Sequence, residues 1–125
     1  MRVLVVDDSA VMRRIIINAL AVAGVTDVVQ AADGQEAVSS AASAEFDAIL
    51  LDWNMPVLSG IEALKVIRGM GIKSPVLMVT TEAEKTRVME ALKAGANNYV
   101  IKPFDPATLG QKLLAAIGQK APAAA

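Results

Sequence analysis

The stretch Arg2-Val3-Leu4-Val5-Val6-Asp7-Asp8-Ser9 decides how the rest of the chain is read. A continuous apolar run as short as Val3–Val6 marks a strand covered on both faces, as in a parallel sheet flanked by helices. Two carboxylates end the run, and Ser9 can cap a helix that follows. The same pattern recurs downstream, where Ala48–Leu51 runs into Asp52, Val76–Val79 into Thr80, and Tyr99–Ile101 into Lys102. A weaker strand, Val28–Ala31, falls between the first two of these. Parallel strands share one carboxyl edge, so three carboxylates, a hydroxyl and an ammonium are expected to converge there.

Helical stretches separate the strands. Ser9 caps a helix ending at Gly24, with Val11, Ile15 and Ala19 on one face. Asp33 with Glu36, Ser59 with Glu62, and Thr81 with Glu84 each form the capping pattern of a polar residue followed three positions later by Glu. The Ser59 helix carries Ile61–Ile67 and is closed by Gly69 and Gly71, and the Thr81 helix runs to Gly95. Asp105-Pro106 opens the last helix, with proline at the first helical position, where its missing N–H is harmless. Strict alternation predicts an α/β fold: a five-stranded parallel sheet with five helices on both faces and right-handed crossovers.

A chain of 125 residues has room for one domain. With 54% hydrophobic and 20% charged residues it is not a disordered chain. A net charge of −1, a pI near 5.3 and dispersed basic residues argue against a nucleic-acid partner. There is no cysteine, which excludes disulfides and thiolate metal sites, and no histidine, so any phosphohistidine must come from another protein. Mean hydropathy is +0.47, yet the longest apolar stretch, Ile15–Val25, is interrupted by Asn18 and falls short of the roughly 20 residues of a membrane span. The expected location is therefore cytoplasmic, with no membrane partner. The domain is expected over residues 1–119, with an Ala/Pro-rich disordered tail over 120–125.

The chemistry follows from the convergence. Two carboxylates about 5 Å apart repel by roughly 3 kcal/mol at an effective dielectric of about 20. Three together need a cation or a proton, and hard oxygen donors without His or Cys point to Mg²⁺. A carboxylate can also attack phosphorus to give an acyl phosphate. Asp52 is the candidate for that step, because Asp7 and Asp8 form the natural ion-binding pair. Lys102 would offset charge on phosphoryl oxygens, and the Thr80 hydroxyl would hydrogen-bond one of them.

The stretches VLVVDDS (3–9), ILLDWNMPVLSG (49–60), LMVTTEAE (77–84) and AGANNYVIKPF (94–104) resemble, in family order, the two-component response-regulator receiver domain. The resemblance runs from Arg2 to about Ile117. It implies a flavodoxin-like fold with strand order 2-1-3-4-5 and a phosphoacceptor role for Asp52, served by a histidine kinase. It also implies Mg²⁺ held by Asp7, Asp8, Asp52 and the backbone carbonyl of Asn54, with Thr80 and Lys102 on the phosphoryl oxygens. Self-phosphorylation and autodephosphorylation at Asp52 would be its only catalysis. Tyr99 would be a switch that turns inward when Thr80 moves, and Lys102-Pro103 would be a cis bond. The output face would comprise the 82–95 helix, the Tyr99 strand and the 106–117 helix. Ala83, Val88, Tyr99 and Ile101 would supply its contacts, while Met89 and Leu92 are expected in the core. Thr81 stands where the family usually has a very small residue, so its bulk is expected to slow both reactions. Trp53 is expected to be a partly exposed loop aromatic.

With no second domain in view, the resemblance implies a monomeric stand-alone receiver acting on another protein, such as a flagellar motor switch protein in chemotaxis, with a phosphatase as a further partner. The alternatives are a receiver in another phosphorelay and a pseudo-receiver that binds proteins without phosphorylation. A phosphatase with an Asp nucleophile would carry Asp-x-Asp and a cap domain, and an FMN carrier a Ser/Thr/Gly-rich loop after the first strand; this chain has neither.

Overall fold

The computed structural model describes residues 1–118, so the tail expected over 120–125 and the last residue of the expected domain lie outside the described residues. In chain order the elements are β1 (Arg2–Val6), α1 (Ala10–Val22), β2 (Asp27–Ala31), α2 (Gly34–Ser43), β3 (Ala48–Leu51), α3 (Gly60–Gly69), β4 (Val76–Thr80), α4 (Lys85–Ala94), β5 (Asn98–Ile101) and α5 (Pro106–Gly118). The strands form one parallel sheet in the order β2-β1-β3-β4-β5, as the resemblance implies. No described helix is long and apolar enough to cross a membrane.

The apolar runs that define the central strands are divided residue by residue between two cores. Val3, Val5, Ala48, Leu50, Leu77, Val79 and Val100 pack under α1 and α5, with Ile16, Leu20, Leu109 and Leu113. Leu4, Val6, Ile49, Leu51, Val76, Met78 and Tyr99 face the opposite way, toward α2, α3 and α4. A strand buried on both faces needs an apolar residue at every position, which is why the runs are continuous.

The helix starts are local chemistry. The Ser9 hydroxyl accepts from the Met12 N–H, the Asp33 carboxylate accepts from the Glu36 N–H, and Ser59 with Glu62 forms a full capping box. The expected Thr81 cap is absent. The helix begins only at Lys85, and its N-cap Glu84 makes no side-chain capping bond. The chain between them is held instead by the Glu82 N–H donating to the Thr80 hydroxyl at 3.2 Å.

Two helix faces differ from expectation. In α1 the buried stripe is Ile16, Ala19 and Leu20, while Val11 and Ile15 are exposed. The polar residues Arg14 and Asn18 lie on the same stripe as Val11 and Ile15 and carry it to solvent, leaving Ile16, Ala19 and Leu20 inward. In α4 only Ala91 is fully buried, with Val88 and Ala94 partly so against the core. Met89 and Leu92, expected inside, are 48% and 44% exposed. The small side chain of Ala91 brings the helix close along the Val88–Ala91–Ala94 line, which turns its neighbours outward.

Candidate functional site

The polar strand ends meet at the carboxyl edge of β1, β3, β4 and β5, beside the point where the strand order reverses between β1 and β3. Asp7, Asp8 and Asp52 each offer a carboxylate oxygen, all within 4.8 Å of one another. Asp7 and Asp52 are buried and Asp8 is exposed. Lys102 reaches in from the end of β5, its Nζ 2.6 Å from Asp7 Oδ2 and 3.3 Å from Asp52 Oδ2. Thr80 is fully buried at the end of β4.

Backbone groups fix the two buried carboxylates. Asp7 Oδ1 accepts from the Ser9 N–H at 2.9 Å, and Asp52 Oδ1 accepts from the Trp53 N–H at 2.7 Å. Arg13 of α1 donates to the Asp7 carbonyl at 2.7 Å and to Gln30 Oε1 at 2.9 Å, tying the acidic turn to the β2 edge. Beyond Asp52 the chain turns sharply. Leu58 N–H donates to the Pro56 carbonyl at 2.7 Å around Val57, whose φ is +70°, the geometry of a classic γ-turn. Gly60 then packs directly on the Asp52 carbonyl, where any Cβ would collide with backbone. Its N–H donates to the Trp53 carbonyl at 2.8 Å. Lys102-Pro103 is cis, as expected.

The electrostatics separate the groups. Burial pushes the Asp52 carboxyl above its ordinary value; the Lys102 charge and the Thr80 hydroxyl pull it back, and the Asp7 charge adds to the rise. Tyr99 is turned inward, and its hydroxyl donates to the Glu82 carbonyl at 2.7 Å. Its pKa is pushed up to about 12, by burial first and then by the charges of Glu82 and Asp52. Asn54 donates through Nδ2 to Glu82 Oε2 at 2.8 Å, so Glu82 links the loop after Asp52 to the segment that holds Tyr99.

Of the other residues read from the sequence, Ala83 and Ile101 are exposed beside half-buried Val88, and Thr81 is exposed next to Thr80. Trp53 differs from expectation. It is only 6% exposed, under the Arg87 guanidinium, which lies 5.4 Å from the ring centroid. The sequence reading missed the parts played by Arg13, Glu82 and Arg87. Each acts through a long-range contact, and the local pattern places Glu82 only as a residue of a helix's first turn.

The site fits a hard divalent cation. Three carboxylates converge within 4.8 Å, and the chain has no histidine or cysteine to favour a softer metal. A buried acidic cluster with one lysine, at the carboxyl edge of a five-stranded parallel sheet, defines the receiver class of α/β domain. The chain belongs to the response regulator receiver domain family, whose model matches residues 3–114. It is 45% identical over 121 residues to the chemotaxis protein CheY1 of Helicobacter pylori, covering 94% of this chain and 98% of that one. Among solved structures it resembles the chemotaxis protein CheY4 of Vibrio cholerae, with a TM-score of 0.84, 40% identity and coverage of 92% and 97%. It also resembles the receiver domain of the sensor histidine kinase PA1611 of Pseudomonas aeruginosa, with a TM-score of 0.84, 37% identity and coverage of 94% and 97%. That structure has a magnesium ion coordinated in its active site cleft.

Proposed function

We propose that the chain is a phosphorylation switch in which Asp52 accepts a phosphoryl group from the phosphohistidine of a partner kinase. The observation that carries this reading is the convergence of Asp7, Asp8 and Asp52 on one point with Lys102 between two of them. Asp52 Oδ1 is held by the Trp53 N–H. The other oxygen attacks phosphorus, the P–N bond of the donor breaks, and an acyl phosphate forms on Asp52. Lys102 and the Thr80 hydroxyl then take the phosphoryl oxygens. In the return step water attacks phosphorus, the new P–O bond breaks, and inorganic phosphate leaves the Asp52 carboxylate. Asp7, Asp8, Asp52 and the Asn54 carbonyl would hold Mg²⁺, which offsets negative charge on the reacting oxygens when bound.

Phosphate on Asp52 adds close to two negative charges beside Thr80, and drawing the Thr80 hydroxyl toward it favours the inward Tyr99. The readout is the surface around Ala83, Val88, Tyr99 and Ile101. Likeness to chemotaxis proteins supports a cytoplasmic role in that pathway, with a histidine kinase as donor and a motor switch protein as target. The test is Trp53 fluorescence, since this is the only tryptophan. Mg²⁺ should change its emission, and acetyl phosphate should change it further in the wild type but not in Asp52→Asn. A folded wild type that responds to neither refutes the reading.

A further inference from the structure

Helix α4 is the least anchored of the helices that border the site. Only Ala91 is fully buried among its residues, and its N-cap makes no side-chain bond. From this helix Arg87 reaches across and lays its guanidinium over the Trp53 ring, 5.4 Å from the centroid. Trp53 is neither a free aromatic nor a remote one. It follows Asp52 directly, its N–H holds Asp52 Oδ1 at 2.7 Å, and its carbonyl is pinned by the Gly60 N–H at 2.8 Å. The guanidinium is steered from its other side by Glu90, at 3.6 Å one helical turn on. Its positive charge is also felt at the Tyr99 hydroxyl, where it opposes the rise caused by burial.

We propose that Arg87 is a positioning residue that couples the charge state of Asp52 to the placement of α4, through the ring of Trp53. The proposal rests on the phosphoacceptor reading of Asp52. The physical route is short and continuous. A phosphoryl group on Asp52 adds negative charge next to Trp53, whose backbone N–H holds Asp52 and whose ring is buried. A guanidinium stacked on that ring is drawn toward the added charge, and the N-terminal turn of the helix that carries it has no side-chain cap to resist. Arg87 therefore biases where α4 sits without touching the phosphoryl group. A cation over an aromatic ring at a half-exposed position shifts such a bias about two- to fivefold.

The test uses the whole chain with beryllofluoride and Mg²⁺ as the phosphoryl mimic, in wild type, Arg87→Ala and Arg87→Lys. Alanine is a good helix former, so the helix itself is retained. Amide NMR shifts are read at two places, the site (Asp8, Lys102) and α4 (Ala91, Lys93). In Arg87→Ala the site shifts should persist while the α4 shifts shrink about two- to fivefold, and acrylamide should quench Trp53 more strongly. Arg87→Lys, which keeps a cation over the ring, should recover the larger part of the α4 response. Wild-type α4 shifts in Arg87→Ala, or a lysine variant no better than alanine, overturn the coupling while leaving Asp52 as acceptor. A wild type with no response at Asp8 or Lys102 overturns the acceptor reading and the coupling together.

Discussion

Replacing Asp52 by asparagine should make the folded protein more stable at neutral pH while removing the carboxylate proposed as phosphoacceptor. Three effects on the Asp52 charge compete. Asp7 and Asp52 offer oxygens within 4.8 Å of each other, a repulsion of at least about 3 kcal/mol at an effective dielectric near 20. Lys102 at 3.3 Å returns about 5 kcal/mol on the same scale, but its Nζ lies closer to Asp7, at 2.6 Å. Asp8 is exposed, so its repulsion is screened to well under this. The charge terms largely cancel, and the desolvation of a nearly buried carboxylate decides the sign. Asparagine keeps an oxygen for the Trp53 N–H and leaves Lys102 its stronger partner. The expected gain is about 1 kcal/mol, the usual scale when a destabilised functional group is removed, or roughly 4–8 °C in Tm.

The pH dependence carries the sharper test. The carboxyl pKa of Asp52 is raised in the folded state above its ordinary 3.8. The folded protein thus holds that proton more tightly than the unfolded chain does. The resulting stability is fully present below pH 3.8 and is lost as pH rises through the raised value. Asparagine has no charge to gain, so wild type and variant should melt together in acid and separate as pH climbs to neutrality. Thermal melts followed by circular dichroism, with a chelator present throughout, make the comparison. A variant no more stable than wild type at neutral pH, or a gap that persists undiminished in acid, refutes the reasoning. Adding Mg²⁺ at neutral pH should narrow the gap by stabilising the wild type more.

Val57→Gly should raise stability by about 1 kcal/mol, because a β-branched residue held at φ +70° in a γ-turn is strained and glycine has no Cβ to clash there. Chemical denaturation checks this, and a midpoint that fails to rise argues that the turn relaxes around valine. Tyr99, the only tyrosine, should not ionise until near pH 12 in the folded protein. Its stabilising contribution is present below the ordinary value of 10.0 and is lost as pH rises through about 12, so tyrosinate absorbance should appear late and together with unfolding.

The sheet and the site edge were legible because they depend on short-range signals. A strand buried on both faces must be apolar throughout, and the polar residue that ends it is the one exposed to the ligand edge. Caps at Ser9, Asp33 and Ser59 were legible for the same reason, since each bonds a backbone N–H three residues away. What was not legible depended on a partner far along the chain. The orientation of α4 turns on how closely Ala91 can approach the sheet, which the spacing of Met89 and Leu92 does not encode. Trp53 is covered by Arg87, thirty-four positions later, and packs into the core on strands and helices distant in sequence. Thr81 satisfied the local capping rule, but the backbone there bonds Thr80 instead. Arg68 carried no signal at all. Yet it donates to the carbonyls of Ile72, Ser74 and Gly95 and to Asn97 Oδ1, closing the end of the fold away from the site.

The two buried carboxylates are not equivalent, and the difference supports Asp52 rather than Asp7 as the nucleophile. Each accepts one backbone N–H and shares Lys102, but Asp7 holds the lysine at 2.6 Å and Arg13 fixes its backbone. Asp52 shares the same lysine at the longer distance of 3.3 Å and sits on a loop that must turn through a strained residue to reach α3. A carboxylate whose charge is already matched is a poor nucleophile and a good ligand. One whose charge is disfavoured by burial gains most from forming a bond to an electrophile or sharing a cation. Of the two buried carboxylates, the geometry thus leaves Asp52 the less compensated. It places beside that charge Thr80, Trp53 and Lys102, the groups that would respond first in the proposed transfer.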